Sequence, residues 1–387
     1  MKNIIFINTH PIQYFAPLYK YLNRKGLKTK VWYCSDHSIK GSYDKEFGVK
    51  VKWDIPLLEG YESKFFKNYA PKQNKQNGFF SFSNFGMIYQ LFSEPKSVIV
   101  VHGWNYITQF GILFLGKLKG HTICLRSETP LVHEERKKGL KQRIKLFVLK
   151  HLLFPRIDYF LFIGTQNKLF FKSLGVKDEN LLFCPYCIDN ERFSDDYMAF
   201  GKNKLELKQK IGVSVTDNVI LYSGKYIDKK RPIDLLLAFK KLNKLDCWLV
   251  MVGEGELRKQ MEELIEKEQI KNVILTGFVN QSTITEFYAL SDVFVMCSTL
   301  GETWGLSVNE AMNFNLPVII SDLTGSSYDL VEEGINGYVF RMGDVDQLAD
   351  KLHQLLYCDG LSWERTSRDI IQKFDFSTIY NSLKTIV

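Results

Sequence analysis

The chain has 387 residues, of which 45% are hydrophobic and 24% are charged, and its formal net charge is +8. This length predicts two domains of ordinary size, and the composition excludes an intrinsically disordered chain. The modest positive charge fits nucleotide phosphates, an anionic lipid surface or nucleic acid, and charge alone does not choose among these partners.

The cysteines are odd in number and scattered, which does not suggest a disulfide framework. The opening MKNIIFIN lacks the long apolar core and the small-residue cleavage site of a secretory leader. We therefore expect reduced thiols in a cytoplasmic protein. No apolar run approaches the ~18 residues that a membrane-spanning helix needs.

Short β-branched runs alternate with helical patterns along the whole chain, which predicts parallel sheets built from βαβ units. The predicted strands of the first half are Asn3–Asn8, Thr29–Cys34, Ser97–His102, Thr122–Ser127 and Tyr159–Gly164. Those of the second half are Val219–Ser223, Trp248–Val252, Val273–Gly277, Val293–Ser298, Val318–Ser321 and Gly337–Phe340. The predicted fold class is α/β, with two Rossmann-like doubly wound domains that face each other across a cleft.

A linker is predicted over Cys184–Lys204, which has no apolar periodicity and contains Pro185 and several Asp and Asn residues. The expected division is an N-terminal domain over residues 1–190, a C-terminal domain over residues 191–365 and a final helix over residues 366–387. We expect that helix to pack back on the N-terminal domain. Ligands bind outside the carboxyl ends of parallel strands, so polar residues that follow a strand are the candidates for function.

In the first half, polar residues follow three predicted strands. His10 and Gln13 lie in a Pro-bracketed turn after the first strand, where local packing and a substrate role are both open. His102 ends the third strand, and Arg126 and Glu128 lie at the end of the next one. We interpret these five residues as candidate ligand contacts, because they follow the carboxyl ends of predicted parallel strands.

A basic amphipathic segment is predicted over Lys137–Arg156. Four lysines share one helical stripe, namely Lys137, Lys138, Lys141 and Lys145. Four apolar residues lie beside the stripe, namely Leu140, Ile144, Phe147 and Val148. Three further basic residues enlarge the charged field, namely Arg143, Lys150 and Arg156. Such a helix can lie on an anionic membrane. The alternative is a surface helix with a solvated charged face.

In the second half, Glu302 follows the predicted strand Val293–Ser298, and Glu310 lies inside the helix predicted to begin near Leu306. Gly305, between the two carboxylates, allows the backbone to approach a ligand closely. The helix N-terminus favours an anion. Residue types alone also fit a helix cap at Glu302 and a solvated charge at Glu310.

The surrounding sequence resembles glycosyltransferase family 4. The resemblance lies in the spacing of Glu302 and Glu310 around Trp304-Gly305-Leu306, followed by Ala311-Met312 and Leu316-Pro317-Val318. The blocks SGKYIDKKRPIDLLLAF, MVGEGELR, TGFV and FYALSDVFVMCS precede it in the family's order. The similarity covers residues 217–350, whereas the first half matches in layout and in local phrases such as THPIQYFAPLY. The resemblance implies the two-domain GT-B architecture, with an acceptor-binding N-terminal half and a nucleotide-sugar-binding C-terminal half.

The resemblance also implies roles for individual residues. Glu302 would contact the transferred sugar and Glu310 the ribose, while Lys225 and Lys230 would hold the diphosphate. Gly224, Gly305 and Leu306 would border the sugar or phosphates, and Phe278 and Val279 would lie against the base. The family often has a histidine near one of the N-terminal strand ends, and which position of this chain matches it is open. Our hypothesis is that His102 contacts the reacting sugar. Lys225 stands where the family has Arg, and a lysine cannot form arginine's bidentate fork.

Three motifs imitate other chemistry. Cys184-Pro185-Tyr186-Cys187 has redox-like spacing, but it lies at the predicted linker rather than at a helix start. Asp344-Val345-Asp346 imitates a metal-binding motif, but Asp344 and Gln347 fit a capping box. Gly253-Glu254-Gly255 is a fragment of a dinucleotide fingerprint that we interpret as a tight turn.

The sequence therefore predicts a retaining glycosyltransferase that uses a nucleoside diphosphate sugar, with UDP favoured over GDP, and that requires no metal or other cofactor. The expected acceptor is a glycan or lipid-linked sugar in cell-surface polysaccharide assembly, and the expected location is cytoplasmic and peripheral on the membrane. The alternatives are a nucleotide-sugar epimerase, a phosphorylase or a non-catalytic nucleotide-sugar-binding protein. No nucleic-acid motif is visible, so nucleic acid is not an expected partner.

Overall fold

The computed structural model describes residues 3–44, 46, 48–70, 78–200, 203–358, 361 and 365–387. The strands are β1 (Ile4–Asn8), β2 (Thr29–Tyr33), β3 (Ser42–Asp44), β4 (Val49–Val51), β5 (Glu62–Phe65), β6 (Val98–His102), β7 (Thr122–Arg126), β8 (Tyr159–Phe162), β9 (Leu181–Phe183), β10 (Asn218–Ser223), β11 (Cys247–Val252), β12 (Val273–Gly277), β13 (Val293–Met296), β14 (Val318–Ser321) and β15 (Gly337–Phe340).

The α-helices are α1 (Ala16–Arg24), α2 (His37–Lys40), α3 (Phe85–Ser93), α4 (Ile107–Leu115), α5 (Leu131–Glu135), α6 (Leu140–Val148), α7 (Thr165–Ser173), α8 (Asn190–Phe200), α9 (Lys204–Lys210), α10 (Pro232–Leu242), α11 (Arg258–Lys267), α12 (Ile284–Leu290), α13 (Leu306–Asn313), α14 (Ser327–Leu330), α15 (Val345–Tyr357), α16 (Ser367–Ile371) and α17 (Phe376–Lys384). A π-helical turn spans Leu149–Leu153, and 3₁₀ turns include Phe154–Arg156 and Asp228–Lys230.

The contacts within the chain divide it into two compact units. The first unit comprises Met1–Ser42, Ile55–Ile188 and Phe374–Val387, and the second comprises Tyr43–Asp54 and Asp189–Lys373. The short segment Tyr43–Asp54, which contains the two-stranded sheet of β3 and β4, thus groups with the second unit although its chain neighbours belong to the first.

The first unit is built on a seven-stranded sheet in the order β5-β2-β1-β6-β7-β8-β9. Its strands pair in parallel, and Ile5 of β1 lies opposite Lys30 of β2 and Ile99 of β6. Every residue of β1 is buried because it lies in the middle of a parallel sheet that helices cover on its faces. The sequence pattern missed β5 and β9, the two edge strands, which are short and only partly buried.

The second unit is built on a six-stranded parallel sheet in the order β12-β11-β10-β13-β14-β15. The six strands of this sheet were all predicted from the sequence. The order reverses between β10 and β13, where Ile220 and Leu221 pair with Val293 and Phe294. In doubly wound sheets this switch point leaves a crevice at the carboxyl ends of the two strands, which is where ligands bind.

The predicted linker is wrong in its local structure, because Asn190–Phe200 forms helix α8. Its sequence NERFSDDYMAF buries mainly Phe193, whose ring lies 6.3 Å from that of Phe314, so no long apolar stripe marks the helix. The last helix, α17, belongs to the first unit, where Phe376 packs against Tyr21 and the Ser382 hydroxyl donates to the Phe183 carbonyl.

The single basic stripe predicted over Lys137–Lys145 is also wrong. Lys137 and Lys138 precede α6, and Gly139 separates them from it with a φ of +103°. Lys137 and Lys145 both form ion pairs with Glu134. Instead, α6 exposes three apolar residues, Leu140, Ile144 and Phe147, by 72%, 53% and 66%, and its residues Lys141 and Arg143 are exposed as well.

Within the described ranges, none of the helices combines the length and the apolar character that crossing a bilayer requires.

Candidate functional site

Two loops meet at the switch point of the second sheet. One follows β10 and carries the 3₁₀ turn Asp228–Lys230, and the other follows β13 and carries Glu302. The Thr299 amide donates to the Lys229 carbonyl at 2.8 Å, which fixes the two loops side by side. Sheet topology therefore brings together residues that lie far apart in the sequence.

Lys230 and Glu302 form an ion pair at this junction, with only 17% and 11% of their side chains exposed. Burial alone would raise the pKa of Glu302, but the charge of Lys230 and its hydrogen bond, together with the nearby charge of Lys229, hold that pKa below its ordinary value. Glu302 is therefore a carboxylate at neutral pH, held ionised inside the protein by its cationic neighbour.

Helix α13 starts beside this ion pair. Its N-cap residue, Gly305, has a φ of +93°, and an added Cβ would come within 2.6 Å of the Met296 sulfur. Glycine is thus required here by the backbone conformation and by packing on β13. The first amides of a helix, beginning with half-buried Leu306, have no intrahelical acceptor and favour an anion.

Glu310 lies on the same helix and is buried, with 1% of the residue exposed. The Tyr288 hydroxyl donates to its Oε2 at 2.7 Å, and the Gln281 amide donates to its Oε1 at 3.5 Å. Arg192 in turn donates to Gln281 through two nitrogens, each at 2.9 Å. These bonds fix the orientation of the Glu310 carboxylate, and a contact from it to a ligand stays a prediction.

Tyr288, Gln281 and Arg192 were missed by the sequence analysis. They lie 22, 29 and more than a hundred residues from Glu310 along the chain, so no local spacing links them to it. A buried tyrosine and a buried glutamine on or before a short helix look like ordinary core residues in sequence. Only the packing of α12 against its neighbours reveals that they orient the carboxylate.

The loop after β10 is shaped by close backbone contacts. The Gly224 amide donates to the Val252 carbonyl at 3.0 Å, and a Cβ added at Gly253 would lie 1.9 Å from the Gly224 oxygen. The Gly253-Glu254-Gly255 motif is therefore a turn that admits the neighbouring loop. The Tyr222 hydroxyl donates to the Lys225 carbonyl at 2.9 Å, which fixes the backbone at Lys225.

Arg231 ends this loop in a left-handed conformation with a φ of +52°. Its guanidinium forms a bidentate pair with Asp234, both contacts at 2.8 Å. Arg231 therefore fixes the start of α10, and Lys225 and Lys230 are the loop cations that remain predicted to meet a phosphate. Phe278 and Val279 are half-buried after β12, and the Phe278 ring lies 6.2 Å from that of Trp53.

In the first unit, His10 is half-buried, its Nδ1 lies 2.9 Å from the Thr9 hydroxyl, and its ring lies 4.4 Å from that of His37. Burial and the neighbouring His37 lower the pKa of His10 to about 4. The imidazole is therefore neutral at pH 7. Gln13, in the same turn, is also half-buried.

His102 ends β6, and its ring lies 4.7 Å from that of Phe15. Burial and the charge of Arg126 lower the pKa of His102 well below its ordinary value. Its Nε2 is buried and has no hydrogen-bond partner within the described part of the chain. A buried, unsatisfied ring nitrogen costs free energy unless a ligand completes its bonding, which agrees with the predicted sugar contact.

Arg126 has a structural task that the sequence did not show. Its guanidinium is buried and donates to the Cys184 and Pro185 carbonyls at 2.9 and 3.1 Å. Glu128 accepts a hydrogen bond from the Tyr186 hydroxyl. Both side chains therefore hold the segment after β9, and a contact from either one to an acceptor stays a prediction.

The remaining motifs have structural explanations. Burial raises the pKa of Cys184 to about 12, the opposite of the activated thiol that redox chemistry needs. Asp344 caps α15 by accepting from the Gln347 amide at 2.9 Å. The predicted capping box does not close, since the Gln347 side chain accepts from the Arg341 amide. Among the described residues, no three His, Cys, Asp or Glu side chains cluster so that they could hold a metal ion.

Comparison with known proteins agrees with this geometry. Over its whole length the chain resembles Anabaena HepE in complex with UDP and glucose, with a TM-score of 0.73, 17% identity, and coverage of 100% of this chain and 99% of that one. The likeness shows that the chain has the GT-B fold, as the sequence predicted.

Residues 203–373, which make up less than half of the chain, match the family model of glycosyl transferases group 1. The chain is 27% identical over 199 residues to N-acetyl-alpha-D-glucosaminyl L-malate synthase of Bacillus anthracis, a match that covers 50% of this chain and 51% of the relative. It is 29% identical over 196 residues to the UDP-Gal:alpha-D-GlcNAc-diphosphoundecaprenol alpha-1,3-galactosyltransferase of Escherichia coli, covering 49% and 48%. The chain spans about half the length of the curated relatives it matches.

The lowered pKa of His10 makes the stability of the first unit depend on pH. The folded state favours neutral His10, with a pKa of about 4 against 6.5 when unfolded, so its contribution is complete above pH 6.5 and is lost as the pH falls toward 4. Between pH 7.5 and pH 4.5, the free energy of unfolding should fall by about 1–3 kcal/mol less in the His10→Gln variant than in wild type. Urea unfolding at the two pH values measures this difference.

His37 and His102 contribute in the same direction, so the pH dependence should shrink rather than vanish. His353→Gln, at an exposed position on α15, is the matched control and should leave the pH dependence unchanged. An unchanged dependence in the His10 variant would show that the imidazole is not held neutral.

Proposed function

We propose that the protein is a retaining glycosyltransferase that moves a sugar from a nucleoside diphosphate sugar to a hydroxyl of a glycan or lipid-linked acceptor. The observation that carries this proposal is the buried Lys230–Glu302 ion pair beside the N-terminus of α13. The pair lies at the switch point of a sheet whose strands fall within the residues that match the group 1 model. A relative that acts on a diphosphoundecaprenol-linked sugar supports a role in cell-surface polysaccharide assembly.

In the proposed reaction, Lys225, Lys230 and the first amides of α13 neutralise the leaving diphosphate while the acceptor hydroxyl attacks from the same face of the sugar. Glu302 contacts the transferred sugar, Glu310 the ribose, and Phe278 and Val279 the base. These fixed positive groups supply the charge that a metal ion supplies in other phosphate-releasing enzymes, so we propose a metal-independent reaction.

UDP is the proposed nucleotide. The similar solved structure of Anabaena HepE contains UDP, and the Escherichia coli relative is a UDP-galactose enzyme by name. Tighter calorimetric binding of GDP than of UDP to the wild-type protein would contradict this choice.

Two other functions remain distinguishable by simple assays. An epimerase on the same architecture would convert the donor sugar in the absence of any acceptor. A nucleotide-sugar-binding protein would bind the donor and release no nucleotide when acceptors are added. The carboxylate of Glu302 stays ionised inside the protein beside Lys230. This favours the transferase, because fixed charges in a buried site stabilise the charge that develops during a reaction.

Lys230→Ala should lower kcat by about 10²- to 10³-fold, which corresponds to the ~2–4 kcal/mol that one preorganised electrostatic group contributes. The reason is that the diphosphate loses a cation whose position is fixed before the reaction. Release of nucleotide from the donor, followed in the presence of acceptor, measures the effect.

Lys240→Ala is the matched control, since Lys240 lies at an exposed position of α10 and pairs with Glu268 at the surface. Its turnover should equal that of wild type. Undiminished turnover in the Lys230 variant would refute the proposed role.

We further propose that His102 contacts the reacting sugar, and that His10, Gln13, Arg126 and Glu128 lie on the acceptor side. His102→Ala should lower kcat by about 10- to 100-fold, the effect of losing one buried hydrogen bond of ~1.5–3 kcal/mol. The His353→Ala variant, changed at an exposed site, should keep full activity. A near wild-type rate in the His102 variant, with an unchanged circular dichroism spectrum, would contradict the assignment.

A peripheral position on the cytoplasmic face of a membrane is also proposed. The support is the exposed apolar row Leu140, Ile144 and Phe147 on α6, with Lys141 and Arg143 on the same helix. Amphipathic helices of this kind insert their apolar face at the headgroup boundary, and each nearby lysine or arginine adds about 1 kcal/mol on anionic lipid.

Six of the cysteines are reduced thiols, namely Cys34, Cys124, Cys184, Cys247, Cys297 and Cys358, which fits a reducing compartment.

The triple variant Leu140→Ser, Ile144→Ser and Phe147→Ser should bind vesicles of phosphatidylglycerol and phosphatidylcholine at least tenfold more weakly than wild type, because the inserted apolar area is removed. Cosedimentation at physiological salt measures this. Leu245→Ser, at a residue that is 80% exposed in the second unit, controls for general surface hydrophobicity. Failure of the wild-type protein to bind these vesicles would contradict the membrane proposal.

A further inference from the structure

The segment Tyr43–Asp54 stands out because it belongs by its contacts to the second unit, whereas the chain before and after it belongs to the first. We call this segment the 43–54 strap. Contacts of its described residues reach Lys225, Phe278 and the turn Asn280–Ser282, which are either proposed donor-site residues or their immediate neighbours.

The carboxyl end of the strap is held by hydrogen bonds. The Asn280 amide donates to the Lys52 carbonyl at 2.9 Å. The Asp54 carboxylate accepts from the Ser282 amide at 3.2 Å and also from the Ser282 hydroxyl. Trp53 is thus bracketed by two anchored residues and held beside Phe278, with ring centroids 6.2 Å apart and ring planes inclined by 57°.

The other contact is electrostatic. Lys225 donates to the Glu46 carboxylate at 2.7 Å, with 23% of the lysine side chain and 59% of the glutamate side chain exposed. Lys225 is the cation proposed to hold the donor diphosphate. In this structure an anionic oxygen from the strap therefore occupies one of the positions around the ammonium group that a phosphate oxygen would take.

We propose that the 43–54 strap supplies two donor-site residues: Trp53, which stacks on the nucleobase beside Phe278, and Glu46, which competes with the donor diphosphate for Lys225. This inference rests on the proposed nucleotide-sugar chemistry and adds two residues outside the segment that matches the family model.

The inclined rings of Trp53 and Phe278 explain the role of the tryptophan. The two rings pack against each other at an angle, so Trp53 extends the aromatic surface of Phe278, and a planar base can stack on that surface. Stacking of a base on an aromatic side chain is worth about 1–3 kcal/mol, and it does not depend on which base is present. Trp53 therefore adds affinity for the nucleoside part of the donor and little discrimination between bases.

The exposed Glu46 carboxylate explains why its contact can be exchanged. An ion pair that is more than half exposed on one side contributes little stability, so a doubly charged diphosphate can replace it at small cost. The exchange frees Glu46 when the donor binds and restores the ion pair when the nucleotide leaves. Glu46 thus weakens the binding of any diphosphate, including the product.

Calorimetric titration of the full chain with UDP and with inorganic pyrophosphate separates the two residues. Trp53→Ala should weaken UDP binding about tenfold and leave pyrophosphate binding unchanged, because only the base loses a contact. Trp53→Phe keeps an aromatic face and should retain most of the UDP affinity. Glu46→Gln should strengthen the binding of both ligands about two- to fivefold, because both use Lys225.

Lys52→Ala is the matched control, because the exposed Lys52 holds the strap through its backbone carbonyl rather than through its side chain. Equal UDP affinities in wild type and the Trp53→Ala variant, or weaker binding by Glu46→Gln, would overturn this inference while leaving the transferase proposal intact. Loss of pyrophosphate binding in the Trp53→Ala variant would show a collapsed strap and would also count against a stacking role. Failure of the wild-type protein to bind any nucleoside diphosphate would instead defeat the proposed function itself.

Discussion

The junction between the loops after β10 and β13 is the constraint on which the proposed donor site depends. One backbone hydrogen bond, from Thr299 to Lys229, joins the loops, and the buried ion pair of Lys230 and Glu302 crosses the same junction. Removing two charges from water costs several kcal/mol, and a buried pair of this kind is weak evidence for stability. Its retention at a sheet switch point is better explained by chemistry, because fixed charges in a water-poor site act strongly on charge that develops in a reaction. The fold thus holds a costly polar arrangement that only a ligand would make useful.

How much of the fold the sequence could predict depends on the size of the hydrophobic signal. Central strands such as β1, in which every residue is buried, are indicated in the sequence by continuous apolar runs. The edge strand β5 is largely exposed and carries no such run, and α8 buries mainly Phe193, so both were missed. The stripe of lysines before and along α6 was misjudged for a different reason. A helical wheel assumes an unbroken helix. It does not show that Gly139 interrupts the helix or that Glu134 forms ion pairs with two of the lysines.

The candidate site divides along the same line. The approach of Lys230 to Glu302 could be inferred, since topology brings the ends of neighbouring parallel strands together. The hydrogen bonds of Glu310 could not, because Tyr288 and Gln281 reach it through tertiary packing. Arg126 shows the opposite error: a charged residue at a strand end looked available to a ligand, yet its guanidinium serves carbonyl groups 58 and 59 residues away. Residue type and position along a strand predict where chemistry is possible, and the packed partners decide whether the side chain is still available for it.

Lys225 and Lys230, in the loop after β10, illustrate that last step. Each already has a carboxylate partner, so a diphosphate would change the partners of charged groups rather than meet bare cations. The Glu302 side chain is buried, and its backbone amide donates to the Thr299 carbonyl. Glu302 therefore cannot move away from Lys230 when a ligand binds. Lys230 must therefore share its charge between Glu302 and a phosphate, which keeps it oriented and limits its net attraction. Glu46 is mostly exposed and stands on a separate segment of the chain, so Lys225 can release it completely. Geometry thus suits Lys230 to steady the reacting end of the donor and Lys225 to control how tightly the diphosphate is held.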